Sequence, residues 1–339
     1  MFKGEKCFVI AEIGVNHGGS IDLAYKMIDE AKRCQADAVK FQTFQASRLV
    51  SKNTPKVHYQ MSTTDKNESH FKMIQNLEFK YEDHEPVINY CKAKRIEFIS
   101  TPYDIESAVF LNKLGVNIFK TASADIVDLP LHKFLSSTGK KVIISTGMAS
   151  LGEIEEVLSI YKKENIDNVA LLHCVANYPC SYQSLNLRVI TTLKEAFGLP
   201  VGFSDHAEGS IPAAASIALG ATIVEKHFTL DRNMVGPDHK ASSTPEEFRA
   251  LVQAIRITEA SLGSKVKSIQ IEEKDMRKIS RKSLFLAKDV REGQVLDEHD
   301  FTLKRPGSGI YANVLPVIVG RKASRELKKG KILEYGDFK

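Results

Sequence analysis

Through the first three-quarters of the chain, short apolar and β-branched runs alternate with longer stretches whose apolar residues recur every three or four positions. The runs are CFVIAEIG (7–14), AVKFQTF (38–44), EFISTPY (97–103), IFKTASAD (118–125), KVIISTG (141–147), NVALLHC (168–174), VGFSDHA (201–207) and TIVEKHFTL (222–230). Between the first two, Leu23, Met27, Ala31 and Cys34 share one helical face behind Ser20, a residue suited to cap the helix. Eight strand-then-helix units in series predict a parallel sheet, and eight is the number that closes a (β/α)8 TIM barrel, here over residues 1–262. The competing arrangement is an open doubly wound sheet. No G-x-G-x-x-G follows the first run, where a dinucleotide-binding sheet of that kind would carry it.

The polar residues fall at the C-terminal ends of these runs, the end at which such barrels carry their sites. They are Glu12, Lys40 with Gln42, Thr101, Lys120 with Ser123 and Asp125, Ser145, Tyr178 just past the sixth run, Ser204 with His206, and His227. Strand side chains alternate between faces, so Lys40 and Gln42 share a face, as do Ser204 and His206, and Glu225 and His227. A lone strand serine usually satisfies backbone and a lone buried histidine usually packs in a core; it is the clustering at one rim that points to a site. His206 and His227, on neighbouring strands, can converge on one ion, and two imidazoles with oxygen ligands suit Mn2+, Mg2+ or Zn2+. Two lysines among hydroxyls can hold a phosphate without a glycine-rich loop. A divalent metal beside an anionic, phosphorylated small molecule is the chemistry these residues suggest.

After the helical pattern TPEEFRALVQAIRITEASLG, residues 263–283 are charged and lack a clear apolar stripe, and they read as a linker. Residues 284–339 read as a small β-rich domain with an internal echo. VREGQVLDEHDF (290–301) and LKKGKILEYGDF (327–338) match at the glycine, at both apolar positions after it and at the final Asp-Phe, which predicts a duplicated strand–turn–strand unit. Between the copies, KRPGSGI (304–310) is a Pro/Gly loop with Arg305 at its start.

Composition narrows the partners. A net charge of +5 over 339 residues, with no basic cluster interleaved with aromatics, gives no footprint for nucleic acid. Five cysteines without a C-x-x-C indicate neither a disulfide framework nor a thiolate zinc site. The one N-terminal apolar run is broken by Glu12 and is too short for a signal peptide, and no run reaches membrane-spanning length. These features set the expectation of a cytoplasmic protein that engages no membrane.

The motifs AEIGVNHGGS, VKFQTF, ISTPYD, FKTASAD, ISTGMAS, LLHC followed by NYP, GFSDH, EKHFTLDR, GPDHKAS and KRPGSGI together resemble, in order, those of the sialic acid synthase (N-acetylneuraminate synthase) family, from about residue 7 to the C-terminus. The resemblance implies a (β/α)8 barrel followed by an antifreeze-like (SAF) domain. It implies condensation of phosphoenolpyruvate with an N-acylated mannosamine-type sugar, with release of phosphate, to give a nine-carbon 2-keto-3-deoxy acid. Carried over by motif, His206 and His227 are the expected ligands of a divalent metal, Mn2+ or Mg2+ first. Lys40, Thr101, Lys120, Ser123, Ser145 and Ser204 correspond to the phosphoenolpyruvate pocket. Gln42, Tyr178 and Asp238 fall where the family holds the sugar, and Glu12 matches a carboxylate near the reacting centre. Arg305 matches an arginine that reaches the sugar from the partner subunit of a homodimer.

The chain departs from the family pattern in two places: Ala124 and Asp125 stand where many members carry Gly and Glu, and Ala176 where some carry a sugar-contacting Asn. Glu225 lies one layer below His227 on the same face, placed to orient the groups around an ion. Lys226 points the other way, and the sequence offers no role for it. Two other classes of function compete. A Schiff-base aldolase would use Lys40 or Lys120, and a carbohydrate-binding protein would leave the strand-end lysines, serines and histidines without a purpose.

Overall fold

A computed structural model of the chain describes residues 6–56, 58–65, 67–163 and 166–339. It divides into two compact units, Met1–Gly263 and Ser264–Lys339. In the first, eight parallel strands close on themselves: β1 (Phe8–Gly14), β2 (Ala38–Thr43), β3 (Glu97–Pro102), β4 (Ile118–Thr121), β5 (Lys141–Ser145), β6 (Val169–Cys174), β7 (Val201–Asp205) and β8 (Ile223–His227). β1 pairs with both β2 and β8, so the barrel is closed and the open sheet is ruled out.

Strand alternation divides the side chains in two. Outward residues such as Val9, Ala11, Ile13, Val39 and Phe41 pack on the helices, for example on Ala24, Met27, Ile28 and Ala31 of the helix Ile21–Arg33. Ser20 caps that helix by accepting from the Leu23 N–H. Inward residues Phe8, Ile10, Ala38, Ile99, Ile118, Ile143, Ala170, Leu172 and Ile223 form a separate apolar cluster that fills the barrel below the site. Each of its large members contributes about 1.5–3 kcal/mol by leaving water. Gly202 makes this packing possible, because a Cβ there would lie 2.4 Å from the Ile223 carbonyl oxygen and 2.6 Å from Leu172 Cδ2. One layer higher, the inward positions turn polar: Glu12, Lys40, Thr101, Lys120, Ser145, Ser204 and Glu225, all buried.

The segment expected to be a linker contains a helix, Glu273–Ser280, none of whose residues is buried. Its Lys278 carbonyl accepts from the Gly307 N–H at 2.8 Å, which ties it to the second unit. Charged residues dominate the helix, and its two large apolar residues, Met276 and Ile279, stand one turn apart and remain strongly exposed.

In the second unit, β9 (Ser283–Leu286) pairs antiparallel with β10 (Phe301–Lys304). The remaining ladder contacts are isolated bridges, so the unit has less regular strand than the sequence suggests. The duplication is present nonetheless. Val290 and Leu327, equivalent in the two copies, exchange backbone hydrogen bonds with each other at 2.8 and 2.9 Å. Gly293 and Gly330 both adopt positive φ (74° and 83°), and each copy ends in a 3-10 turn, Glu298–Asp300 or Tyr335–Asp337. The buried Asp300 accepts from the Asp297 N–H and pairs with Lys288; Asp337 does the same with Glu334 and Arg325.

Candidate active site

A cavity of about 500 Å³ opens at the C-terminal end of the barrel strands. Every residue picked out in the barrel sequence as a site candidate lines it, from Glu12 on β1 to Asp238 beyond β8, except Asp125. The Asp125 carboxylate turns instead to the Ala122 N–H at 3.2 Å and caps its own 3-10 turn. Arg305 lies in the second unit, in the loop after β10, and is not among the lining residues.

The floor is a chain of alternating charges. Lys40 Nζ sits 2.9 Å from Glu12 Oε2 and 3.8 Å from Glu225 Oε1, and donates to Thr101 Oγ1 at 3.3 Å. Glu12 Oε1 accepts from Gln42 Nε2 at 3.0 Å, and Glu225 Oε1 accepts from Ser204 Oγ at 3.0 Å. Lys120 donates to the Ser145 hydroxyl and to the Thr121 carbonyl. Ser123 Oγ accepts from the Gly147 N–H at 3.0 Å and lies 3.3 Å from Cys174 Sγ.

The two carboxyls are driven apart. Burial pushes Glu12 well above the ordinary carboxylate range despite Lys40. Glu225 meets the same burial, but Lys120 and Lys40 outweigh it and hold it well below that range. Burial lowers the Lys120 ammonium pKa, whereas for Lys40 the adjacent Glu12 and Glu225 outweigh burial and raise it. Asp238 is pushed up to about 6 by burial.

Above the floor stand the imidazoles. His206 and His227 have ring centroids 5.6 Å apart, and Tyr178 packs on both, at 4.2 and 5.5 Å. His206 Nδ1 lies 2.8 Å from the Val175 carbonyl oxygen, so Nδ1 carries the proton and Nε2 keeps its lone pair. Burial lowers His206 to about 4 and His227 to about 3, so both rings are neutral, the form in which an imidazole ligates. His227 Nδ1 is buried without a hydrogen-bond partner among the described residues. These donors fit a divalent cation. No group of three or more His, Cys, Asp or Glu among the described residues is arranged to enclose one. Water and substrate oxygens would have to complete its shell.

The rest of the cavity differs in character. Over β1–β3 it is lined by Val15, Phe44, Leu49, Ile74, Leu77 and Tyr103, with Gln60 and His70 as the polar members. Several of these residues form one small apolar cluster with Met73. Lys40 and Lys120 are the only Lys or Arg lining the cavity among the described residues, and both lie on its floor. Lys56, near His70, is engaged by Thr64 Oγ1 at 3.0 Å and the Asp65 carbonyl at 2.7 Å. This lobe falls in the insertion between β2 and β3, with Ile74 in the helix His70–Asn76 and Leu77 at its end, where no local period singles out its residues. Glu225, by contrast, follows from period-two alternation with His227. Cys174 and Ala176 complete the wall near Tyr178.

The model of the NeuB family matches residues 27–267, and that of the SAF domain matches residues 281–339. The chain belongs to the NeuB family. It is 43% identical to an N,N'-diacetyllegionaminic acid synthase of Campylobacter jejuni, over 97% of this chain and 99% of that protein. It is 41% identical to an N,N'-diacetyllegionaminic acid synthase of Legionella pneumophila, over 96% and 93%. Among solved structures, an N-acetylneuraminic acid (sialic acid) synthetase of Leptospira borgpetersenii in complex with citrate matches with a TM-score of 0.73 at 35% identity, covering 80% of this chain and 91% of that one. As a NeuB-family member with nonulosonic acid synthases among its close homologues, the chain shares its overall plan with sugar-acid synthases.

Proposed function

We propose that this chain condenses phosphoenolpyruvate with an uncharged N-acylated mannosamine-type aldose, a 6-deoxy-2,4-diacetamido sugar first among them, to form a legionaminate-like 2-keto-3-deoxy acid and inorganic phosphate. The observation that carries the reading is the Lys40–Glu225–Lys120 floor beneath two neutral imidazoles. It offers an anion two ammonium groups with the hydroxyls of Thr101, Ser123, Ser145 and Ser204 around them. The apolar lobe supports the choice of acceptor: it suits methyl and acetamido groups, and among the described residues no Lys or Arg of the barrel lines it to meet a sugar 6-phosphate. Two of the relatives above are named for the synthesis of a diacetylated acid, N,N'-diacetyllegionaminic acid.

Lys40 and Lys120 hold the phosphate and carboxylate of phosphoenolpyruvate so that its C3 faces the aldehyde carbon of the open-chain sugar. The new C3–C1 bond forms as the enol π electrons move to the aldehyde carbon, whose C=O π pair passes to the aldehyde oxygen, and positive charge is left at C2. Water adds at C2 and gives up a proton, which balances the one taken up by the aldehyde oxygen. The C2–O bond to phosphorus then breaks, phosphate leaves with both electrons, and the C2 hydroxyl loses its proton to become the keto oxygen. Glu12, whose buried carboxyl ionises less readily than usual, is suited to carry the proton given up by the water. Gln42, Tyr178 and Asp238 would orient the sugar. His206 and His227 would hold a divalent cation, Mn2+ or Mg2+, which when bound supplies Lewis-acid polarisation of the aldehyde oxygen. Lys40 is held protonated by its two carboxylates, a poor state for a Schiff-base nucleophile.

We propose further that the enzyme is a homodimer whose cavities are each closed by the partner's small unit, with Arg305 of the partner subunit reaching the sugar. Strongly exposed apolar residues stand in the segments that follow strands β4 to β8: Val127, Met148, Tyr182, Ile211 and Val235. Residues 264–339 carry +7 of formal charge against −2 for the barrel, a suitable cover for an anion site. The test is phosphate release from phosphoenolpyruvate with N-acetylmannosamine, its 6-phosphate and 2,4-diacetamido-2,4,6-trideoxymannose, before and after chelation. The expected order puts the diacetamido sugar first and requires added Mn2+ or Mg2+ after chelation. Preference for the 6-phosphate would reject the acceptor reading, and full activity after thorough chelation would reject the metal.

A further inference from the structure

Lys226 stands between two residues of the cavity, Glu225 and His227, yet alternation along β8 turns its side chain to the outer side of the barrel. It is 2% exposed. There Nζ pairs with Asp205 Oδ2 at 2.9 Å and donates to the Ala207 carbonyl. Asp205 is fully buried, and its second oxygen, Oδ1, accepts from the Ala207 N–H at 2.9 Å. That bond closes an Asx turn whose middle residue is His206. The β7–β8 ladder ends at the Asp205–Lys226 pair. His206 is therefore the first residue beyond regular strand pairing, and what holds it is this set of contacts. The His206 carbonyl accepts from the Cys180 N–H at 2.8 Å, and its Nδ1 faces the Val175 carbonyl on the other side.

A buried ion pair is a poor device for stability, because apolar side chains of similar volume often do as well or better. An apolar side chain could not hold the Ala207 carbonyl, however, and it would impose no direction on the peptide that carries His206. The strand that carries His227 thus also grips the residues on both sides of His206. We propose that Lys226 is a positioning residue: through Asp205 and Ala207 it fixes the His206 peptide to the end of β8, and so sets the spacing at which the two imidazoles can share one divalent cation. The proposal rests on the metal reading above for its purpose, and on the bracket alone for its geometry.

The test uses the full chain, stripped of metal, as wild type, His206→Ala, Lys226→Met and the charge-neutral double variant Asp205→Asn/Lys226→Met. Mn2+ binding is followed by the paramagnetic resonance of the free ion, the His206 ring by its nitrogen NMR signals, and folding by thermal unfolding. In wild type the His206 signals should report a proton on Nδ1, and Mn2+ should bind in a manner that His206→Ala abolishes. In Lys226→Met the dissociation constant for Mn2+ should rise roughly ten- to a hundred-fold, as when groups that orient a ligand are removed, and the fixed Nδ1–H signal should be lost. The double variant should regain thermal stability without regaining affinity. Recovery of both would show that only charge balance mattered and would overturn the proposal. Unchanged His206 signals in Lys226→Met would also overturn it, whether or not Mn2+ binds wild type. Absence of Mn2+ binding to wild type would reject the metal reading and, with it, the purpose assigned to the bracket.

Discussion

Gly147 gives a steric prediction that can be worked from distances. It follows β5, its N–H donates to Ser123 Oγ, and a Cβ built on it would lie 2.7 Å from that oxygen and 2.9 Å from Cys174 Sγ. Its backbone is outside the left-handed region, so Gly147→Ala brings contact strain without conformational strain. The Ser123 hydroxyl is the atom that can give way, by rotating off its donor and out of the cavity. If that hydroxyl bonds the phosphoenolpyruvate anion, its loss costs about 1.5–3 kcal/mol, or roughly ten- to a hundred-and-fifty-fold in kcat/KM for phosphoenolpyruvate. Residual crowding against Cys174 adds about 1–3 kcal/mol of destabilisation, visible in Tm. The assay is phosphate release against phosphoenolpyruvate at saturating sugar, for Gly147→Ala, Ser123→Ala and the double variant. Both single changes remove the same hydroxyl, so the double variant should be no worse in kcat/KM than the worse single one. Losses that simply add, or a Gly147→Ala defect confined to the sugar KM, would refute the argument.

Three further expectations follow. Bridging 18O at C2 of phosphoenolpyruvate should leave with the phosphate; label retained in the sugar acid would mean P–O cleavage. Mixing Arg305→Ala with His206→Ala chains and allowing exchange should restore activity if sites are shared across a dimer, and no recovery after demonstrated exchange would reject a contribution from the partner. His84, buried and bonded to Thr43 Oγ1 at 2.8 Å, is lowered by burial to about 4, so the unfolded chain takes up its proton near pH 6.5 and the folded chain only near 4. Stability present above pH 6.5 is lost as pH falls through that window, about 3 kcal/mol in all from this residue. Urea unfolding of His84→Gln should fall less steeply between pH 7 and 5 than that of wild type, and equal slopes would count against it.

The barrel and most of its site were legible because period two and βα alternation are local signals. Lys40 with Gln42, Ser204 with His206 and Glu225 with His227 share a face as alternation requires, and all line one cavity. What local pattern could not supply was anything set by the far side of a strand or by an insertion. The partner of Lys226 is on another strand, 21 residues earlier in sequence, and the apolar lobe is built by a helix whose packing partners are βα loops. Asp125 stays out of the cavity for a related reason: a carboxylate one methylene shorter than the family's Glu satisfies its own turn first. The helix Glu273–Ser280 was hidden because its two large apolar residues, Met276 and Ile279, are too few among charged neighbours to show a period.

The repeat in the small unit makes it a dimer written into one chain. Val290 and Leu327 bond each other across the join, and each half borrows backbone partners from the other, as when Leu286 donates to Lys331 and Ala323 to Gln294. Neither half can therefore keep its ladder alone, yet dilution cannot separate them, because the intervening segment keeps their effective concentration high. That same segment carries Arg305. It is fastened to both halves at Ile310, whose carbonyl accepts from Leu284 and whose N–H donates to Leu333. The tether that keeps the two copies together is thus also held in shape by their union, so a fault in either copy would slacken the Arg305 loop.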